Sequence, residues 1–355
     1  MSNYDLTLNY LKEFETPELF QINNYVNSLI KSKHKEYKID SSGMPACPYC
    51  GSKIIKKNGK LPNGNQRYLC LNDKCRKSFS SNTKSFFLRS RKFEDYLHLM
   101  IEYTLDGLSI RNISTKLNIP IKTIWIWRTK ILNLLSNFID TNNPLAKLIY
   151  SDETYLKINL KGTKPKDMPR PSYTSKRNAV CHRELVCIQT IIDNNKRCLF
   201  NINGVARSNN DSLNSFLTTL IRDGSTLVTD GDLSYIGFAN DKDIIHERVV
   251  APLKFSRNKY TLAPINNLHS SFKFFISKYR GVSTKRLKGY LNLFMLNHFL
   301  SQILNGYEKI NYIYESILGL DYNLSFNDIN NVDFPFNVRL LYANLMKEGY
   351  FKDFH

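Results

Sequence analysis

The chain has 355 residues, and its 50 Lys+Arg against 31 Asp+Glu leave a formal net charge of +19. With 42% hydrophobic and 12% aromatic residues, it carries enough apolar side chain for two or three packed domains, which excludes wholesale disorder. A pI near 9.5 points to a polyanionic partner, nucleic acid before others, with a merely soluble basic protein as the plain alternative.

Residues 1–30 hold Asp5, Glu13, Glu15 and Glu18 and lack a basic-then-apolar start, so a secretory signal is not expected. The longest apolar stretch, 290–304, is broken by Asn292, Asn297, His298, Ser301 and Gln302, short of the ~18 apolar residues that a membrane helix needs. A soluble intracellular protein without a membrane partner is expected. Seven cysteines, four of them clustered, suit a metal site in a reducing compartment better than a disulfide framework.

Taken in chain order, residues 1–40 show loosely helical apolar spacing (Leu8, Leu11, Phe14, Val26, Ile30) and predict a helical arm. The next segment, 41–82, holds Cys47-Pro-Tyr-Cys50 and Cys70-Leu-Asn-Asp-Lys-Cys75. Two cysteine pairs on tight turns offer four thiolates to one tetrahedral Zn2+, so a zinc ribbon is predicted, with Tyr68 and Phe79 capping its small core. Its basic residues, Lys53 to Lys77, favour DNA contact over a purely structural role.

Residues 83–142 read as helical. Phe93–Leu105 is amphipathic and ends at Asp106-Gly107. A helix over 108–117 capped by Ser109, a turn Asn118-Ile119-Pro120 and a helix over 121–135 form the pattern of a helix-turn-helix. Lys122, Thr123, Trp125, Arg128 and Lys130 are its candidate DNA contacts, against the plainer reading of an ordinary helical hairpin.

From 143 to 305 strands dominate. Strands are predicted over 148–158, 186–192, 197–202, 225–229 and 243–250, and helices over 211–221, 264–279 and 283–304. This order describes an α/β domain compatible with a ribonuclease-H-like sheet. Asp152 lies in the first strand and Asp230 ends a later one. Carboxylates on neighbouring strands can share divalent metal for in-line phosphoryl displacement, although each Asp alone reads equally as a turn former. Asn266 could supply a third ligand, with Lys273 two turns further along the same helix face to grip the DNA backbone. Glu153 alternates to the opposite strand face and is read as supporting. Asp232 is a helper or turn residue, and Cys181, Cys187 and Cys198 lack ligand spacing. Residues 306–355 are aromatic-rich without a pattern and predict an irregular C-terminal extension.

Three blocks carry a resemblance: Ser151-Asp152-Glu153-Thr154-Tyr155; Thr229-Asp230-Gly231-Asp232-Leu233-Ser234-Tyr235; and Ile265-Asn266-Asn267-Leu268-His269-Ser270 leading to Arg280-Gly281-Val282-Ser283-Thr284-Lys285 and Tyr290-Leu291. From about Cys47 to Phe299 the chain resembles bacterial DDE-type transposases of the insertion sequence 1595 family. The resemblance implies a ribonuclease-H-like catalytic domain behind a zinc ribbon and helix-turn-helix, and a transposase that binds terminal inverted repeats. It implies metal-dependent DNA strand cleavage and strand transfer with Mg2+ or Mn2+ beside a structural Zn2+. Double-stranded DNA (element ends and target), a homo-oligomer on DNA and a bacterial, nucleoid-associated cytoplasmic location follow. Many such enzymes carry Glu as third ligand. Here Asn266 and His269 both occupy that place, one helical turn apart: Asn266 falls in step with Lys273, and His269 is the second choice or a donor to substrate phosphate. The missing Glu keeps open a catalytically inactive DNA-binding regulator; a structure-directed nuclease on the same fold is a further alternative.

Overall fold

The computed structural model describes residues 45–62, 64, 66–80, 83, 93–161, 185–205, 210–250, 256, 260–318 and 326–347. The expected N-terminal arm (1–40) and residues 162–184 lie outside them. The chain divides into two compact units, Met1–Leu88 and Arg89–His355.

In the first unit, β1 (Ile55–Lys60), β2 (Gln66–Cys70) and β3 (Ser78–Ser80) form an antiparallel sheet in that order. Its core is Cys47, Ile55, Cys70 and Phe79, with Tyr68 and Cys75 packed against it. The Tyr68 and Phe79 rings stack at 5.6 Å, as the sequence predicts. So small a cluster cannot offset the entropy of ordering the chain, which makes the four thiols the natural site of additional cohesion.

The second unit begins with α1 (Phe93–Leu105), α2 (Ile110–Leu117) and α3 (Ile121–Leu134). Gly107, at φ 77°, closes α1 with a backbone that a side chain rarely adopts. The Ser109 hydroxyl accepts from the Asn112 N–H at 3.1 Å and caps α2. Asn118, in left-handed conformation, ends α2, and Pro120 precedes α3. Ile113, Ile124, Trp127 and Ile131 are buried as their spacing predicts, and Trp127 stacks on Phe93 at 4.7 Å.

The second sheet contains β4 (Leu148–Lys157), β5 (Leu185–Asp193), β6 (Cys198–Val205), β7 (Thr226–Thr229) and β8 (Ile245–Arg248), in the order β6-β5-β4-β7-β8. β4, β5 and β6 are antiparallel neighbours; β7 runs parallel to β4, and β8 parallel to β7. Helix α4 (Asn210–Leu220) connects the antiparallel half to the parallel half. After β7 comes a short helix, α5 (Ser234–Asn240), absent from the sequence expectation. Helix α6 (Ala263–Ser277) packs across β4 and β5, and α7 (Leu287–Leu300) packs on β6 and on α3. Phe200 of β6 meets Phe272 of α6 and Phe294 of α7 at 5.0 and 5.4 Å.

The C-terminal segment corrects the expectation of irregular structure. It forms α8 (Gly306–Leu318), α9 (Phe326–Asn330) and α10 (Val338–Lys347). Helix α8 packs on α1, where His98 Nε2 lies 2.9 Å from Asn311 Oδ1. Val338 is buried against Leu160, Phe334, Phe336 and Leu341. Among the described residues, no helix is long and apolar enough to cross a membrane.

Candidate functional site

In the first unit, the Sγ atoms of Cys47, Cys50, Cys70 and Cys75 all lie within 4.8 Å of one another. Cys47 and Cys75 are 3.7 Å apart and Cys50 and Cys70 3.6 Å. Zn–S bonds of ~2.3 Å at tetrahedral angles require sulfurs roughly 3.8 Å apart, so both measured pairs already stand at the spacing a zinc ion needs. Burial and the neighbouring thiols raise Cys50, Cys70 and Cys75, while the backbone N–H two residues beyond each cysteine (Tyr49, Ser52, Asn72 and Lys77) favours the thiolate; at Cys47, despite burial, the hydrogen bonds prevail and lower the thiol to about 7.

In the second unit the site is set by strand register. The parallel β4–β7 ladder pairs Leu148 with Thr226, Ile149 with Leu227 and Tyr150 with Val228, an offset of 226 − 148 = 78. The same offset carried forward gives 152 + 78 = 230. Asp230, one residue beyond the end of β7, therefore falls at the level of Asp152 on the neighbouring strand. Its Oδ1 accepts the Asp232 N–H at 3.0 Å, so Asp232 shapes the turn after the strand.

The alternation of β4 separates two groups. Ser151 and Glu153 turn towards Tyr235 of α5: the Tyr235 hydroxyl donates to Glu153 Oε1 at 2.9 Å, and Gln189 Nε2 donates to both the Tyr235 and Ser151 oxygens. Asp152 faces the other way, towards α6, where His269 Nδ1 lies 3.9 Å from its Oδ2. Glu153 thus sits behind the candidate site, as strand alternation predicts.

Burial foremost, and then the Asp230 charge, push the Asp152 carboxyl up to about 6, against the Glu153 N–H and the Lys273 ammonium. Glu153 is pushed up to about 7 by burial, with Asp152, Asp230 and Asp232 adding to the rise and Tyr235 opposing it. Burial and Lys273 depress His269 to about 4, leaving its imidazole neutral near pH 7. The result is a half-buried Asp152 carboxyl close to the Asp230 charge, with a neutral nitrogen beside it. Hard carboxylate oxygens in such a setting suit Mg2+ or Mn2+, and the imidazole favours the softer Mn2+.

Helix α6 presents the remaining residues on one stripe. His269 is buried, Lys273 follows one turn later and Asn266 precedes it by one turn. Asn266 and Lys273 are exposed. His269 is the residue of this stripe whose ring reaches Asp152. Thr190 of β5, which the sequence reading passed over, stands opposite Asp152 across the antiparallel ladder. Its hydroxyl donates to the Asp152 carbonyl at 2.7 Å and contacts His269 Nε2 at 2.6 Å. The available signal was Gln189-Thr190, two polar residues midway along an otherwise apolar strand.

The five candidate DNA contacts on α3 divide. Lys122 is exposed, and Thr123 and Trp125 are half-buried. Arg286 lies over the Trp125 ring at 4.6 Å. Arg128 and Lys130 are only 3% and 4% exposed, which corrects their reading as DNA-facing side chains. Arg128 Nη2 donates to the Leu108 carbonyl at 2.6 Å, and its guanidinium lies 5.7 Å from the Tyr279 ring centre. Both residues belong to the packing of α3 against the rest of the unit.

No protein-family model and no curated protein matches the chain. Among solved structures, it is similar to a chain in the cryo-electron microscopy structure of the simian T-cell lymphotropic virus intasome in complex with PP2A regulatory subunit B56 gamma. The identity there is 13% and the TM-score 0.25, covering 48% of this chain and 58% of that one. A chain of the pre-cleavage Mos1 transpososome crystal structure is also similar, at 10% identity and a TM-score of 0.21, covering 63% of this chain and 78% of that one.

Proposed function

We propose that this protein is a DNA transposase with a ribonuclease-H-like catalytic domain, which binds the terminal inverted repeats of a mobile element and cleaves and transfers DNA strands. The observation that carries this reading is the shared register level of Asp152 and Asp230, with His269 of α6 3.9 Å from Asp152. Three antiparallel strands followed by two parallel ones, in the order β6-β5-β4-β7-β8, support the fold assignment. The charge of +19 supports a DNA partner.

In this reading Asp152, Asp230 and His269 hold Mg2+ or Mn2+, with exposed Asn266 beside them. The bound metal supplies activation of a water or 3′-hydroxyl and neutralisation of charge at the scissile phosphate. Lys273 lies one turn beyond His269 and is placed to bind the phosphate backbone of the same strand. The side chains act mainly by positioning and electrostatics, since phosphoryl transfer asks little covalent chemistry of the protein. The cysteine unit and the exposed surface around Lys122 hold the element ends, and joining two ends calls for a homo-oligomer on DNA.

The test uses duplex oligonucleotides bearing the element ends, a target plasmid and Mn2+ or Mg2+. Cleaved ends and joined products are expected from the wild type. Asp152→Ala should abolish both while end binding survives. Cutting without joining would identify a nuclease. The absence of a carboxylate on the α6 stripe favours a second reading, a DNA-binding regulator; it predicts end binding by the wild type with no cleavage in either metal.

A further inference from the structure

The Thr190 hydroxyl stands where two hydrogen bonds meet, and its single hydrogen settles the direction of both. Oγ1 lies 2.7 Å from the Asp152 carbonyl oxygen and 2.6 Å from His269 Nε2. A carbonyl oxygen only accepts, so the hydroxyl hydrogen goes to Asp152. The contact with His269 is then a hydrogen bond only if Nε2 carries the hydrogen and donates it to the Thr190 lone pair. A neutral imidazole has one N–H, so Nδ1 is left with a bare lone pair. That atom lies 3.9 Å from Asp152 Oδ2. Two electron-rich atoms face each other across a gap suited to a cation.

We infer that Thr190 is a positioning residue: its hydroxyl holds His269 in the Nε2–H tautomer and so presents Nδ1, beside the Asp152 carboxylate, as a donor to a divalent cation. This rests on the reading of Asp152 and His269 as metal-holding residues and adds the group that orients one of them. Without the hydroxyl, the preference reverses. An Nδ1–H on the side of the Asp152 carboxylate, 3.9 Å away, would be favoured by its negative charge. The lone pair would be consumed, and a metal would have to displace that hydrogen to enter.

Valine has nearly the shape of threonine, so Thr190→Val removes the hydroxyl and keeps the packing of α6 on β5. Thr190→Ser restores the hydroxyl. The full chain is labelled with 15N-histidine, and long-range proton–nitrogen spectra are recorded with the zinc-loaded protein and no added Mg2+ or Mn2+, slightly above neutral pH. His269→Gln identifies the His269 signals by their loss. An Nε2–H ring is expected in the wild type and in Thr190→Ser, and an Nδ1–H ring or a mixture in Thr190→Val. Free Mn2+ followed by electron paramagnetic resonance should then show affinity reduced about 10–100-fold in Thr190→Val and recovered in Thr190→Ser. A wild-type ring carrying its hydrogen on Nδ1, or a Thr190→Val ring identical to the wild type, would overturn the proposal. So would a tautomer switch that leaves Mn2+ affinity unchanged. Neither readout involves DNA: a tautomer switch with lost Mn2+ affinity, in a protein that never cuts element ends, would sink the transposase reading and leave the role of Thr190 standing.

Discussion

Asp230 stands level with Asp152, 78 residues later in the chain and one strand away. Two carboxylates held so close in a half-buried site repel each other, and the Asp230 charge adds to the rise of the Asp152 carboxyl. The adverse electrostatics have a measurable consequence.

Folding raises the Asp152 pKa from 3.8 to about 6. The folded state therefore holds this proton more tightly than the unfolded chain, so stability is highest below the unfolded value and declines as pH rises through the interval up to about 6. A rise of about two units sets an upper bound of ~3 kcal/mol. Glu153, pushed up to about 7, extends the decline to slightly higher pH. Asp152→Asn is expected to raise the metal-free melting temperature by several degrees at about pH 8 and to change it little near pH 4. Calorimetry across that range checks both ends. Adding Mn2+ at the higher pH should stabilise the wild type and not the variant.

The cysteine unit should depend on metal for its fold. Two of its four core residues, Cys47 and Cys70, are also candidate ligands, so removing zinc empties the centre of the cluster. One zinc per chain is expected by metal analysis. Chelation, or Cys70→Ser, should abolish hydrogen-exchange protection of the β1–β2 ladder, which intact protection after chelation would refute.

Gly289 of α7 lies where a side chain would crowd α3: a Cβ added there would sit 3.0 Å from Leu132 Cβ. In an open helix Gly→Ala stabilises by up to ~1 kcal/mol. Here Gly289→Ala should lose that gain, and Gly289→Leu should cost about 1–3 kcal/mol through overpacking. Urea denaturation of the three proteins gives the comparison.

Arg128 and Lys122, six residues apart on α3, should respond differently to alanine. Removing buried Arg128 strips the Leu108 carbonyl of its partner and should cost roughly 2–4 kcal/mol of stability. Lys122→Ala at the exposed end should leave stability nearly unchanged. Instead it should weaken DNA binding across sequences and reduce the salt slope by about 1. Melting curves together with binding isotherms at several salt concentrations separate the two.

Much of this organisation is readable from residue order alone. The β-forming residues in 148–158, the Ser109 cap and the paired cysteines are local signals, and local signals survive without tertiary knowledge. The two aspartates are legible because each terminates or interrupts an apolar strand. Other features depend on partners distant in sequence. Arg128 and Lys130 read as solvent-facing because basic residues usually are, yet Tyr279 and Leu108 enclose Arg128. Thr190 reads as an ordinary strand residue until the hairpin register sets it opposite Asp152. The choice between Asn266 and His269 turns on which of two neighbouring side chains on α6 points inward, and helical spacing places both on the same stripe. In α8, Ile310, Ile313, Tyr314 and Ile317 do carry a helical period, obscured by the aromatic residues among them.

Because the pairing of 148–150 with 226–228, carried two residues on, sets Asp152 and Asp230 at one level, the length of chain between them is irrelevant to their meeting. Residues inserted between Lys161 and Leu185 would leave both carboxylates where they are. Deleting one residue within Thr226–Thr229 would turn Asp230 to the far side of its strand while barely altering composition. The candidate site thus depends on strand pairing and not on how much chain connects the paired strands.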